Sequence, residues 1–205
     1  VASRDENTII SFAGAGGLAF GAGADKKTGV GAAVNVNVID PREGTTATIE
    51  DSDLSADGVA IVDAEVANIV TPITVALATA LGGASPKSLA AAVSVGVVVV
   101  DGTTRASTRR RKNSGVSGKG GVRIEADDNS VSTTVSGGVA LAGAVGGLAG
   151  SGRAVGASVN VSYLDQDVVA DVTDTPVTSL DGNVTVVADS SPRLISVAAG
   201  AAGTY

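Results

Sequence analysis

One pattern returns three times at long range, and it constrains the fold more than any single residue does. Val34-Asn35-Val36-Asn37-Val38-Ile39-Asp40 is followed by Val95-Gly96-Val97-Val98-Val99-Val100-Asp101, and then by Val159-Asn160-Val161-Ser162-Tyr163-Leu164-Asp165. A second motif keeps the same period: Gly58-Val59-Ala60-Ile61, Gly121-Val122-Arg123-Ile124 and Asn183-Val184-Thr185-Val186. Self-similarity at about 62 residues is the signature of a stacked array, in which each unit buries its apolar surface against its neighbours. The spacing predicts a single continuous array over residues 1–205, with units near 8–68, 69–132 and 133–194, and 195–205 opening a fourth.

The kind of array follows from which residues are absent. Hydrophobic residues make up 44% of the chain and aromatics 2%, with 28 glycines. An interior of Val, Ala, Ile and Leu without large rings is thin, and Val/Thr-rich runs favour strands. Within the repeated ladder, Val34, Val36 and Val38 share one face and Asn35 and Asn37 the other, the alternation of a half-buried strand. The Gly/Ala segments around 13–24, 75–84 and 137–152 carry too much glycine for helices, so they read as small-residue strands packed on a neighbouring sheet. The expected fold class is all-β, a parallel β-helix or β-solenoid built from about three 62-residue repeats. The alternative is an antiparallel β-hairpin array or sandwich, with Asp101-Gly102 as a two-residue hairpin turn. Three coils of about 20 residues per unit, at about 4.8 Å per strand, would give a rod on the order of 50 Å long.

Charge is organised by the same period. The stretch 40–58 carries net −5, 101–121 net +5, and 165–182 net −5. Half of the 14 basic residues fall in 19 positions: Arg105, Arg109, Arg110, Arg111, Lys112, Lys119 and Arg123. Three readings fit them: a solvated loop, a polyanion-binding patch, or cations that meet the acidic loops of adjacent units and disfavour a wrong register. Asp51 with Asp53, and Asp165 with Asp167, are candidate Ca²⁺ ligands. Two carboxylates fall short of the six to eight oxygens that ion takes, so no metal or other cofactor is expected.

Composition narrows the function classes. Without His or Cys the common nucleophilic triads cannot form, and four aromatic residues are too few for the stacking platform of a carbohydrate-active β-helix. The Thr45, Thr46, Thr48, Thr103 and Thr104 cluster prompts an ice-binding reading, but Val168 and Val169 break the column. A net charge of −7 argues against nucleic acid as a partner. The most apolar windows, 75–81 and 89–100, are shorter than the roughly 20 residues of a membrane-spanning helix. The absence of Met and the lack of a polar cap at either end lead us to expect a piece of a longer array.

Units such as Ala32-Ala33-Val34-Asn35-Val36-Asn37-Val38-Ile39, then Thr45-Thr46-Ala47-Thr48-Ile49, then Ser55-Ala56-Asp57-Gly58-Val59-Ala60-Ile61 resemble the repeats of giant bacterial surface adhesins. These are the filamentous-haemagglutinin-like and leukotoxin-like exoproteins, with autotransporter passengers similar in style. The resemblance covers nearly the whole chain and implies a secreted or surface-anchored, non-catalytic β-solenoid. Its expected partners are itself and host-cell or matrix glycans. A self-assembling extracellular fibre subunit is the alternative. The resemblance brings no catalytic residues with it.

Overall fold

The computed structural model describes residues 1–21, 27–39, 44–82, 87–110, 115–144 and 151–204. It is all-β, with no helix among those residues, and its parallel sheets curl part-way round. The strands in chain order are β1 (Ala2–Gly21), β2 (Lys27–Ile39), β3 (Thr45–Glu50), β4 (Leu54–Ala56), β5 (Val59–Gly82), β6 (Lys87–Arg109), β7 (Val116–Gly118), β8 (Gly121–Asp128), β9 (Val131–Ala144), β10 (Ser151–Thr173), β11 (Val177–Ser179), β12 (Val184–Ser190) and β13 (Arg193–Thr204).

Every pairing is parallel, and it joins equivalent positions of successive units. In the first sheet β1 lies on β5, β5 on β8 and β9, and these on β12 and β13. In the second, β2 and β3 lie on β6, and β6 on β10. The third stacks β4, β7 and β11. Asp101 pairs with Asp165 and Ile39 with Val100, so the ladder copies sit in register. The first two copies of the second motif are shifted by one, Val59 pairing with Gly121, whereas the last two are in register, Val122 pairing with Val184. The chain therefore visits first, second and third sheet in a fixed order, three times, and ends in the first.

Several expectations change. Among the described residues no parallel pairing joins positions about 20 apart; the partners are 59 to 64 apart, from Thr45–Thr104 to Ser151–Lys87. About 60 residues therefore add one strand to each sheet rather than three coils, and the four-deep first sheet is about 19 Å thick rather than 50 Å. The antiparallel hairpin array is overturned, since Asp101 and Gly102 lie inside the unbroken strand β6. The Gly/Ala segments are strands, as expected, over the parts that are described.

The interior has two regimes. Where all three sheets meet, it is apolar: Ile49, Val62, Val116, Val122 and Ile124 are buried together, with Leu54 and Val177 against them. Beyond the third sheet, the first and second sheets continue face to face as a two-layered tongue. Its interior is alanine at one level, with Ala76, Ala78, Ala80, Ala90, Ala92, Ala140 and Ala142 all buried, and hydroxyl and amide at another. The Ser94 hydroxyl donates to the Thr74 carbonyl (3.1 Å), and the Ser136 and Ser158 hydroxyls bond one another across the gap. Asn160 Nδ2 on β10 donates to the carbonyls of Thr134 (3.1 Å) and Val197 (2.8 Å), tying two strands of the first sheet to the second.

In the third copy of the ladder the valines lie on the outer face. Val159, Val161 and Tyr163 point outward and are about half exposed, while Asn160, Ser162 and Leu164 face inward. The reason is spacing. A Cβ on Gly138 would lie 2.5 Å from the Ala157 carbonyl oxygen, and one on Gly156 2.2 Å from that of Ala201. At the level of Gly138 and Gly156 the sheets admit only small side chains between them, whereas nearer the three-sheet end Val70, Val98 and Val100 are buried together with Ile9 and Leu164 against them.

Candidate functional site

Two surfaces stand out, both on the outer face of the first sheet. The nearer to the three-sheet end is an acidic ladder. Alternation along β5 and β8 turns Asp63, Glu65, Glu125 and Asp127 outward while Val62, Ala64, Ile124 and Ala126 enter the core. Register then stacks Asp63 on Glu125, and Glu65 on Asp127 on Asp189, so like charges occupy neighbouring strands. One carboxylate oxygen from each of Asp63, Glu125 and Asp127 lies within 4.8 Å of the others. Cations border the ladder: Arg123 pairs with Glu125, and Arg4 with Glu6 and, at 3.4 Å, with Glu65.

The electrostatics follow from this crowding. The Asp127 carboxyl is held above its usual range, first by partial burial and then by the charges of Glu125, Asp189, Asp63 and Glu65. Arg123 is pushed up by its hydrogen bond and charge contact with Glu125. Across the molecule, the Tyr163 phenol is raised by its hydrogen bond to Asp165 (2.8 Å). A carboxyl raised by folding favours the native state below the unfolded carboxylate range, and that contribution is lost as pH rises through the folded value. Asp127→Asn is therefore expected to stabilise the fold at neutral pH by roughly 0.5 kcal/mol, the scale of opposed like charges on adjacent strands. The gain should shrink as the pH falls into the carboxylate range, and melting curves at a series of pH values check it.

Chemically, the ladder offers three carboxylates on an open sheet surface. With one converging oxygen from each, they supply half or less of the six to eight oxygens Ca²⁺ takes. Sequence reading passed over it, although its signal is visible there: Glu65, Asp127 and Asp189 recur at the 62-residue period.

The residues singled out from the sequence scatter by comparison. Arg105 and Asp171 make an inter-unit ion pair, with one guanidinium nitrogen 3.0 Å from each carboxylate oxygen. Lys119 pairs with Asp57 of the preceding unit at 2.7 Å. The first contact links the paired strands β6 and β10 and the second reaches the bend at Asp57, and largely exposed pairs of this kind contribute well under about 1 kcal/mol each. Arg123 instead pairs within its own strand. Arg109 and Arg110 are held through their backbones, the Arg109 carbonyl accepting from Asp51 N and Arg110 N donating to the Thr173 carbonyl, each at 3.2 Å. Arg111 and Lys112 lie outside the described residues.

The four aspartates considered for Ca²⁺ divide in the same way. Asp53 accepts from Gly115 N at 2.7 Å, tying adjacent units, and Asp51 sits in the left-handed region (φ 50°). Asp165 and Asp167 are both exposed on the outer face of β10. Asp165 takes the Tyr163 hydroxyl hydrogen bond, and Asp167 lies in register with Thr103, which puts a hydroxyl rather than a carboxylate on the neighbouring strand. Among the described residues, neither Asp51 with Asp53 nor Asp165 with Asp167 belongs to a group of three acidic ligands. The acidic group that does form is elsewhere, at Asp63, Glu125 and Asp127, because strand register and not short sequence spacing brings carboxylates together in this fold. Thr45 and Thr104 face the core and are buried, so that column forms no exposed threonine array.

The second surface is apolar. Ile10, Phe12, Leu18, Ile69, Leu77 and Val197 are exposed along the outer face of the tongue in the first sheet. A shallow depression of about 400 Å³ is sunk into it, lined by Gly16, Leu18, Leu77, Thr79, Val139 and Leu141. No protein-family profile, curated protein or solved structure matches the chain.

Proposed function

We propose that the chain is a structural scaffold: a parallel β-solenoid in which each 62-residue unit makes one turn through three sheets. It serves as a non-catalytic, adhesive or spacing segment of an extracellular bacterial surface protein. The observation that carries the scaffold reading is the in-register parallel pairing of equivalent positions from one unit to the next. The placement at the cell surface, with host glycans as partners, follows from the resemblance of the units to surface-adhesin repeats.

End-to-end fibre growth is the second reading, favoured by the uncovered strand edges of β1 and β13. Both edges lie in the first sheet. A head-to-tail contact between two 205-residue chains would therefore leave the second and third sheets one strand short at the seam, which makes the scaffold the better reading.

Removing one whole turn tests it. Deleting residues 63–124 joins Val62 to Glu125, the register partner of Asp63. The shortened chain should keep a β-sheet circular dichroism spectrum and a cooperative melt, because stability in such arrays is close to a sum over units and their interfaces. Deleting only 63–93 puts every later strand out of phase and should abolish the melt. If both deletions unfold the chain, or both are tolerated, the one-turn unit is wrong.

A further inference from the structure

The outer face of the tongue in the first sheet is an apolar field set beside a charged one. Along β5 the outward positions change from Asp63 and Glu65 to Ala67, Ile69, Thr71, Ile73, Val75, Leu77, Thr79 and Leu81, mostly apolar and without a charge. The field is four strands wide, about 19 Å, and runs about 40 Å along them, giving roughly 750 Å². Monomeric proteins rarely expose a continuous apolar patch of more than a few hundred Å². The area matches the roughly 800 Å² per partner of a standard stable interface.

We infer that this face pairs with the same face of a second copy of the chain, the two related by a two-fold axis running along the stacking direction. Three observations fix the occupant and its orientation. First, the field is flanked by the free edges of β1 and β13. Unpaired backbone groups in hydrocarbon cost several kcal/mol each, which disfavours a bilayer as the covering medium, whereas sheets packed face to face leave their edges in water. Second, a two-fold axis along the strands would lay one acidic ladder on the other. An axis along the stack runs the strands antiparallel and places the ladders at opposite ends. Third, the field is self-complementary about its own centre. The axis passes through the Gly14–Val75 register pair. Phe12, 74% exposed, then lies over Gly16 of the second copy, where a Cβ would meet nothing within 4 Å and the depression opens. The reciprocal contact follows by symmetry, as in any isologous interface, and a buried aromatic knob at its centre is the usual energetic anchor. The inference stands on the first sheet alone, whether or not the turns close.

Sedimentation and light scattering of the 205-residue chain at micromolar concentration should give twice the 19.7 kDa monomer mass. Phe12→Glu and Leu77→Glu should each weaken dimerisation about thirtyfold, with the thermal melt of the monomer retained, since both positions are on the outer face. The chain has no cysteine, so a single Val75→Cys, on the axis, should be joined into a dimer by a short bis-maleimide that spans the roughly 10 Å between facing sheets, while Arg123→Cys, on the charged field, should not. Four results would each overturn the inference: a monomer mass at all concentrations, a dimer indifferent to Phe12→Glu, cross-linking at 123 rather than 75, or flotation with phosphatidylcholine vesicles in place of self-association.

Discussion

Gly156→Val should cost about 3 kcal/mol, at the upper end for overpacked interiors, and should lower the melting temperature by several degrees. Any side chain at this position begins with a Cβ 2.2 Å from the Ala201 carbonyl oxygen and 2.6 Å from that of Gly138. Both obstacles are backbone of the opposite sheet, so no rotamer change relieves them. The sheets must separate by about 1 Å to reach ordinary contact, and that separation stretches the bonds from Asn160 to the Thr134 and Val197 carbonyls. Val155→Thr makes the control. It neighbours Gly156 on β10 but points outward, 55% exposed, and should change stability by no more than about 0.5 kcal/mol. A tolerated valine at 156 would mean that the two sheets lie farther apart than described.

Ile124→Ala should destabilise the chain by a similar amount, about 3 kcal/mol, for the opposite reason. Ile124 is fully buried where the three sheets meet and packs in one cluster with Val62, Val116, Val122 and Ile49. Its neighbours sit on strands pinned by register on both sides, so the site cannot collapse onto the missing atoms and a cavity remains. Equilibrium denaturation should show the loss as a lower midpoint. Together the two variants separate the regimes of the interior: the three-sheet end needs volume, and the glycine level of the tongue excludes it.

Much of this was legible in the residues. The Val/Thr content, the glycine load of segments such as 137–152 and the 62-residue period were enough to read strands, parallel stacking and in-register ladders. The direction of the ladder was not. Alternation says that Val159 and Val161 share a face and Asn160 and Ser162 the other, but which face is interior depends on how closely the opposite sheet approaches. That distance is set by Gly138 and Ala142 on a different strand. The pairing interval was equally hidden, because a 62-residue period fits strands paired about 20 or about 60 residues apart until the partners are known. The acidic ladder was overlooked because Asp63, Glu125 and Asp189 are far apart in sequence and meet only through register. Asp165 and Asp167 drew notice for the converse reason: they are close in sequence, yet the strand next to Asp167 offers it only Thr103.

The long pairing interval also governs how such a chain reaches its fold. Every strand pairing among the described residues joins positions about 60 apart, and even the bonds between facing sheets, such as Ser94 to Thr74, span 20 or more, so nothing local rewards the first steps. Bringing Asp63 to Glu125 closes a loop about three times longer than a 20-residue coil would require, which adds about 1 kcal/mol of entropy to the first closure. Once one pair of rungs exists, its exposed edge is a template, and each later unit adds against a surface already in place. Folding is then limited by a rare first encounter, with rapid growth after it. Chains whose contacts are so remote in sequence fold slowly, and until that encounter the valines of β6 and β10 remain in water.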